Sequence, residues 1–342
     1  MNGKLELRYI KYSQLVLAVV FFLILVGGIV RTTGSGMGCP DWPKCFGLWI
    51  PPTCSCELPA NYQEDFAKKR IEKNKRVAKV FRALGNEQYA QEIVSHPVIA
   101  QEQSFNVWQT WTEYINRLVG AIAGLLIFIQ FLFALLAFRK DKPWFLLWSF
   151  LAVVITGFQA FLGSLVVSTN LNASMLNAHF FLAFAIAVLV AMPLLTQKSG
   201  ATFLRDRKSF LFFVVLFLAA CFQITLGTDV RISLKELLQS SLPSSELFDQ
   251  VGTPFFVHRT ATLFLLFFSI YLVRLGRQLT IDGVFLFWLF CIPTSVVLQG
   301  VTGVGMVYGG LAAWAQMFHV LFASLFFVSV TNVLIRGVIL RR

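Results

Sequence analysis

The chain alternates long apolar runs with short polar, mostly basic breaks. Eight runs are long enough to cross ~30 Å of hydrocarbon as helices: 12–30, 113–137, 145–167, 176–195, 210–228, 256–274, 284–304 and 312–335. The pattern predicts an all-α membrane protein with eight transmembrane helices. No convincing small-residue cleavage site follows the first run, so it is expected to remain as a helix and not to leave as a signal. One long polar interval, 31–110, separates the first two runs. Its stretch 61–92 is rich in Lys, Arg and Glu. Between Glu64 and Leu84 it has helix-forming composition with Phe66, Ile71, Val77, Val80 and Phe81 interspersed. That predicts one or two amphipathic helices lying over the outer face as a solvated decoration.

The apolar pattern also repeats. Gln159-x3-Gly163 is followed by His179, and Gln299-x3-Gly303 by His319, with twenty residues from glutamine to histidine each time. Upstream, Asn116-Arg117 echoes His258-Arg259, and Gly27-x3-Arg31 echoes Gly227-x3-Arg231. The expected architecture is two duplicated four-helix bundles, residues 1–200 and 201–342. Three of the four histidines in the chain stand at these repeated places. The fourth, His96, precedes Pro97 in the basic stretch and is expected to be exposed.

Composition agrees with a membrane chain: 57% of residues are hydrophobic and 13% charged, for a formal net charge of +12. The basic residues are not spread as a nucleic-acid footprint would be. Lys4, Arg8 and Lys11 precede the first run; Arg139, Lys140 and Lys142 follow the second; Lys198, Arg205, Arg207 and Lys208 follow the fourth. Arg274 and Arg277 follow the sixth, and Arg336, Arg341 and Arg342 end the chain. By the positive-inside rule this places both termini in the cytoplasm, and a loop as long as 31–110 translocates regardless of its charge.

On that topology Asn116, His179, His258 and His319 lie at similar depth near the outer face. Neutral imidazoles on facing helices suit the two sides of a haem iron, and Gly163 and Gly303 would let a backbone or a flat macrocycle approach. One interfacial histidine is ordinary; three at repeated places favour the ligand reading. Arg31, Arg117, Arg231 and Arg259 are candidates for the propionates, against snorkelling at helix ends. Glu113 shares a helix face with Asn116. It reads either as the second half of a capping box with Thr110 or as a functional acid at the hydrocarbon boundary. Cys39, Cys45, Cys54 and Cys56 fall in the exported interval, where disulfides are permitted. A zinc site from the four is weaker, because paired Cys-x2-Cys units are lacking. Cys221 and Cys291 read as packing residues. Two other classes compete: a b-type electron carrier, which would keep both ligand pairs, and a transporter, which would carry broken helices at mid-membrane.

The run from Gly34 through Cys39-Pro40-Asp41-Trp42-Pro43-Lys44 to Cys45 resembles the first outer loop of haem A synthases. Glu113-Tyr114-Ile115-Asn116-Arg117 is similar to that family's Glu-x-x-His-Arg, and the Gln-x3-Gly helices followed by histidine match as well. The resemblance covers nearly the whole chain apart from a basic insertion at about 57–104. It implies oxidation of the C8 methyl of haem O to a formyl group, through a hydroxymethyl intermediate, giving haem A for terminal oxidases. It also implies haem b held by His258 and His319, His179 facing the substrate haem O, Glu113 as catalytic carboxylate, and a Cys39–Cys45 disulfide. The expected location is the cell inner (plasma) membrane, with the haem sites toward the outer face. Membrane lipid and the haem O synthase (protohaem farnesyltransferase) are the expected partners. The electron acceptor is not named by the sequence, and homo-oligomerisation is left open. Asn116 departs from the family, since an amide is a poor iron ligand beside imidazole. The asymmetry admits two readings: a reaction site with an open iron position, or a degenerate, non-catalytic haem-binding paralogue.

Overall fold

The computed structural model describes residues 2–41, 43–83, 85–95, 104–168, 173–197, 207–237, 244–279 and 282–340. His96, Trp42, Leu84, Lys198, Arg205, Arg341 and Arg342, singled out above, lie outside the described residues. The helices are α1 (Asn2–Thr32), α2 (Tyr62–Ala83), α3 (Glu87–Ser95), α4 (Val107–Phe138), α5 (Pro143–Ser168) and α6 (Ala173–Leu195). They continue with α7 (Arg207–Leu237), α8 (Ser244–Val251), α9 (Thr253–Leu279), α10 (Gly283–Tyr308) and α11 (Ala313–Leu340). Eight of them, all but α2, α3 and α8, are long and apolar enough to cross a membrane, as the run pattern predicts. This is an all-α, multi-pass membrane protein.

Several helices outrun their apolar segments. α1 begins at Asn2 and α7 continues to Leu237, because a helix satisfies its own backbone groups on both sides of the hydrocarbon boundary. α4 starts at Val107, a turn and a half ahead of its apolar run. That overturns the capping-box reading of Thr110 and Glu113. The residue ahead of the helix is Asn106, whose Oδ1 accepts from Gln109 N at 3.1 Å, as an N-cap side chain does. Thr110 instead donates to Gly38 O at 2.9 Å.

The described residues form two compact units. One comprises Met1–Gly28, Ala123–Thr156 and Phe180–Arg342. In it α7, α9, α10 and α11 close a four-helix ring, α7 packing on α9, α9 on α10, α10 on α11 and α11 on α7. The core is aliphatic and aromatic, with Phe184, Leu216, Phe285, Leu289, Ile292 and Phe326 fully buried. A buried ion pair locks one end. Asp282 caps α10 by accepting from Phe285 N at 2.7 Å, and its Oδ2 meets Arg336 Nη2 of α11 at 2.7 Å. Arg336 also donates to the carbonyls of Leu195 and Gln197 at the end of α6. Elsewhere α8 packs on α7 through Val230, Leu234, Leu247, Phe248 and Val251.

The second unit comprises Ile29–Ile122 and Gly157–His179. Here α2 and α3 form a helical hairpin closed by Ala78, Phe81, Ala90 and Ile93, which bears out helix formation in the basic stretch. Phe46 anchors α2 and the chain leading into α4 to the preceding loop, meeting Tyr62, Phe66 and Phe105 edge-on at 5.3–6.0 Å. Two disulfides form, Cys39–Cys45 and Cys54–Cys56. With all four cysteines paired, no thiolate remains for the zinc alternative.

Candidate functional site

In the second unit the disulfide loop is clamped onto α4. Gly38 lies so close to the helix that a Cβ there would run into the backbone carbonyl of Gln109 and come within 2.8 Å of Thr110 N. Only glycine permits this approach. The clamp brings Cys39 N to within 2.8 Å of Glu113 Oε2, to which it donates. Glu113 is 5% exposed and its other oxygen pairs with Arg117, one helical turn on. Arg117 also donates from Nη1 and Nη2 to loop carbonyls, those of Cys39 at 3.1 Å, Asp41 and Lys44. Thus the Cys39–Cys45 loop, Glu113 and Arg117 form one network. Asn116, on the same helix, has a buried Oδ1 without a hydrogen-bond partner.

His179, near the start of α6, rests on α5. Gln159 Nε2 donates to His179 O at 2.9 Å, and a Cβ on Gly163 would sit 3.3 Å from His179 Cε1. The imidazole Nδ1 is buried and has no partner. The Gln-x3-Gly pattern is therefore a cradle. Glutamine holds the backbone of the histidine helix, and glycine one turn later makes room for the ring.

The first unit holds two further Gln-x3-Gly sites, one of which lacks the glutamine link, since Gln299 Nε2 donates to Ser295 O of its own helix at 3.4 Å. Gln299-x3-Gly303 on α10 receives His319 of α11, with a Gly303 Cβ at 3.9 Å from His319 Cε1. Here the ring itself is bonded: His319 Nδ1 lies 3.1 Å from Gln299 O and 3.1 Å from Thr302 Oγ1. The other copy is Gln223-x3-Gly227 on α7, which receives His258 of α9. Gln223 Nε2 donates to His258 O at 2.8 Å and to Thr262 Oγ1 at 3.1 Å, and a Gly227 Cβ would sit 2.8 Å from His258 Cε1. Sequence reasoning paired Gly227 with Arg231 and missed Gln223. The signal was present, since the four-residue spacing is the one already recognised at 159 and 299.

His258 and His319 face each other with ring centroids 6.3 Å apart and planes at 56°. Two imidazoles ligating one metal from opposite sides, each with a bond of ~2 Å and a ring centre ~1 Å beyond the nitrogen, have centroids ~6 Å apart. The separation therefore fits a bis-imidazole iron. The Nδ1 contact of His319 with a backbone carbonyl suits the tautomer protonated there, which leaves Nε2 as the nitrogen available to a metal. Arg231, one turn beyond Gly227, has a buried Nη1 without a partner, as a propionate contact requires. Arg259 differs, being exposed and lying over the rings of Phe255 and Phe256 at 5.7 Å.

The chain is also similar to known proteins. A protein of Alkalihalophilus pseudofirmus named "Heme A synthase" is 26% identical over 92% of this chain and 93% of its own length. One of the same name from Exiguobacterium sibiricum is 23% identical over 96% of this chain and 93% of its own. Another from Nitrosospira multiformis is 29% identical over 54% of this chain and 47% of its own. Residues 11–331 match the family described as COX15-CtaA, cytochrome oxidase assembly protein, and the chain accordingly belongs to that family.

Proposed function

We propose that this protein is a haem A synthase. It oxidises the C8 methyl of haem O to a formyl group by way of the hydroxymethyl compound, and so supplies haem A for terminal-oxidase biogenesis. The observation that carries the reading is the pair of imidazoles, His258 and His319, facing at a separation that fits one iron, in a chain of the cytochrome oxidase assembly family. The resident group is haem b, which supplies one-electron transfer when bound. His258 and His319 hold it from two helices of the four-helix ring, Gly227 and Gly303 admit the rings, and Arg231 meets a propionate.

His179 faces the substrate haem O, with its Nδ1 free of protein partners. Asn116 contributes an amide where the family has a second imidazole, which leaves the substrate iron open on that side. Glu113 accepts from Cys39 N and Arg117 and presents its remaining lone pairs to the substrate edge, where it holds a hydroxyl or moves a proton. The burial of that carboxylate keeps water from competing for it. The haem sites lie toward the outer face of the cell inner membrane.

Absorbance of the purified protein tests the assignment of ligands. His258→Ala and His319→Ala are each expected to abolish the b-type spectrum, and His179→Ala to leave it unchanged. A b-type spectrum that survives both of the first two changes contradicts the proposal.

A further inference from the structure

The basic hairpin is seated on the second unit at both ends. Tyr62 Oη accepts from Phe105 N at 2.9 Å and Phe66 meets Phe46 edge-on, which fixes the start of α2 to the chain entering α4. Met175 of α6, one helical turn before His179, packs on the hairpin core of Ala78, Phe81, Ala90 and Ile93. α2 therefore runs from the entry of the Glu113 helix to the entry of the His179 helix. Phe66, Arg70, Lys73 and Val77 follow one another at the four- and three-residue steps of a single helix face. Phe66 and Val77 both pack against protein, so Lys73 between them is on the side turned to the body of the unit. Its charge lies within reach of the Glu113 network: burial pushes the Lys73 ammonium below the ordinary lysine range, the like charge of Arg117 adds to this, and Glu113 opposes it. Lys73 nonetheless keeps contact with solvent, as a side chain lining an open crevice does.

This cluster carries a surplus of positive charge. Both terminal nitrogens of Arg117 are engaged by Glu113 and by the carbonyls of Cys39, Asp41 and Lys44. Elsewhere on α2, Lys68 pairs with Glu64, Arg82 pairs with Glu87 and Lys69 lies over the ring of Phe66. Lys73 has no such partner among the described residues, and an unpaired ammonium beside a second cation favours an anion. We propose that Lys73 is a substrate-binding residue, whose ammonium donates to a propionate carboxylate of the porphyrin that Glu113 and His179 receive. The inference rests on the reading of those two residues as the substrate site. Arg117 then serves the loop and Glu113, and Lys73 serves the substrate. A single axial contact with His179 leaves a porphyrin able to turn about that bond. A propionate held from α2 stops the turn, so that one methyl group and not another meets Glu113.

The test uses the full-length protein, with haem b bound, in detergent. It is titrated with fluorescent zinc protoporphyrin IX and with its dimethyl ester, in which both carboxylates are blocked; zinc in the ring accepts one axial imidazole. Lys73→Gln is expected to weaken the free acid ~10-fold, the scale of one hydrogen bond to a charged group, and to leave the dimethyl ester at its wild-type affinity. Lys73→Arg is expected to keep the free-acid affinity. An unchanged free-acid affinity in Lys73→Gln would overturn the inference, and so would an equal loss for both probes, which is the mark of a displaced hairpin. His179→Ala separates this result from the reading beneath it and is expected to weaken both probes. If it weakens neither, the substrate-site assignment fails and the inference with it. Weakening of both by His179→Ala, together with an indifferent Lys73→Gln, removes the inference alone.

Discussion

Gly163, Gly227 and Gly303 hold the same place in their cradles but leave different room for the ring. A methyl group would stand 2.8 Å from the imidazole at Gly227, 3.3 Å at Gly163 and 3.9 Å at Gly303. Only the last is an ordinary van der Waals separation. Gly227→Ala is therefore expected to lower haem b content ~10-fold or more by displacing His258, whereas Gly303→Ala keeps it near wild type; haem-to-protein ratios of the purified variants check this order. At His319 the bond to Thr302 is backed by a second bond to Gln299 O. Thr302→Val should weaken haem retention by no more than ~10-fold, at the low end for ligand-orienting partners, as measured by haem transfer to an apo-globin. The three histidines and the arginines stood out in the sequence because they recurred at fixed spacings, and Glu113, which has no counterpart in the second half, stood out as an acid at the hydrocarbon boundary. The use of Arg117 was not legible. Its partners Cys39, Asp41 and Lys44 lie more than seventy positions earlier in the chain, and one-dimensional spacing carries no information about such a contact.

At the scale of elements, apolar run length foretold the eight crossing helices but not where they stop, since hydrocarbon thickness sets the run and hydrogen-bonding sets the helix. The start of α4 shows the consequence. Thr110 and Glu113 have the spacing of a capping box, yet Asn106 caps the helix, and both residues are released to hold the disulfide loop. The loop in turn depends on Gly38. Gly38→Ala cannot relax at a side chain, because the obstacle is the Gln109 backbone. It should free the loop and expose Cys39–Cys45 to dithiothreitol, read by iodoacetamide alkylation and peptide mass spectrometry, with haem b content unaffected. Phe46 is a milder lever. Its three edge-on aromatic partners are each worth about 0.5–1.5 kcal/mol, so Phe46→Ala should loosen α2 and raise its protease sensitivity while the crossing helices stay intact.

At the scale of the whole molecule, one buried ion pair ties together the end of α6, the start of α10 and the end of α11. Arg336 is 1% exposed, and its donors go to Asp282 and to the carbonyls of Leu195 and Gln197. Removing one member strands the other, at a cost of about 3–5 kcal/mol. Asp282→Asn is expected to lower the thermal midpoint markedly, and Asp282→Asn with Arg336→Met to recover part of the loss. A double variant no more stable than the single would show that Arg336 matters through its carbonyl contacts instead. The sequence marked Arg336 only as an inside-facing charge, since a positive-inside count cannot tell a topology signal from a structural clasp.

The central claim, that this chain makes haem A despite Asn116, is tested most directly by extracting haem from cells that co-express it with a source of haem O. Chromatography is expected to show haem A and its hydroxymethyl precursor, both lost in Glu113→Ala and His179→Ala variants that still carry haem b. Haem b alone, under conditions where the Alkalihalophilus pseudofirmus relative yields haem A, would contradict the account.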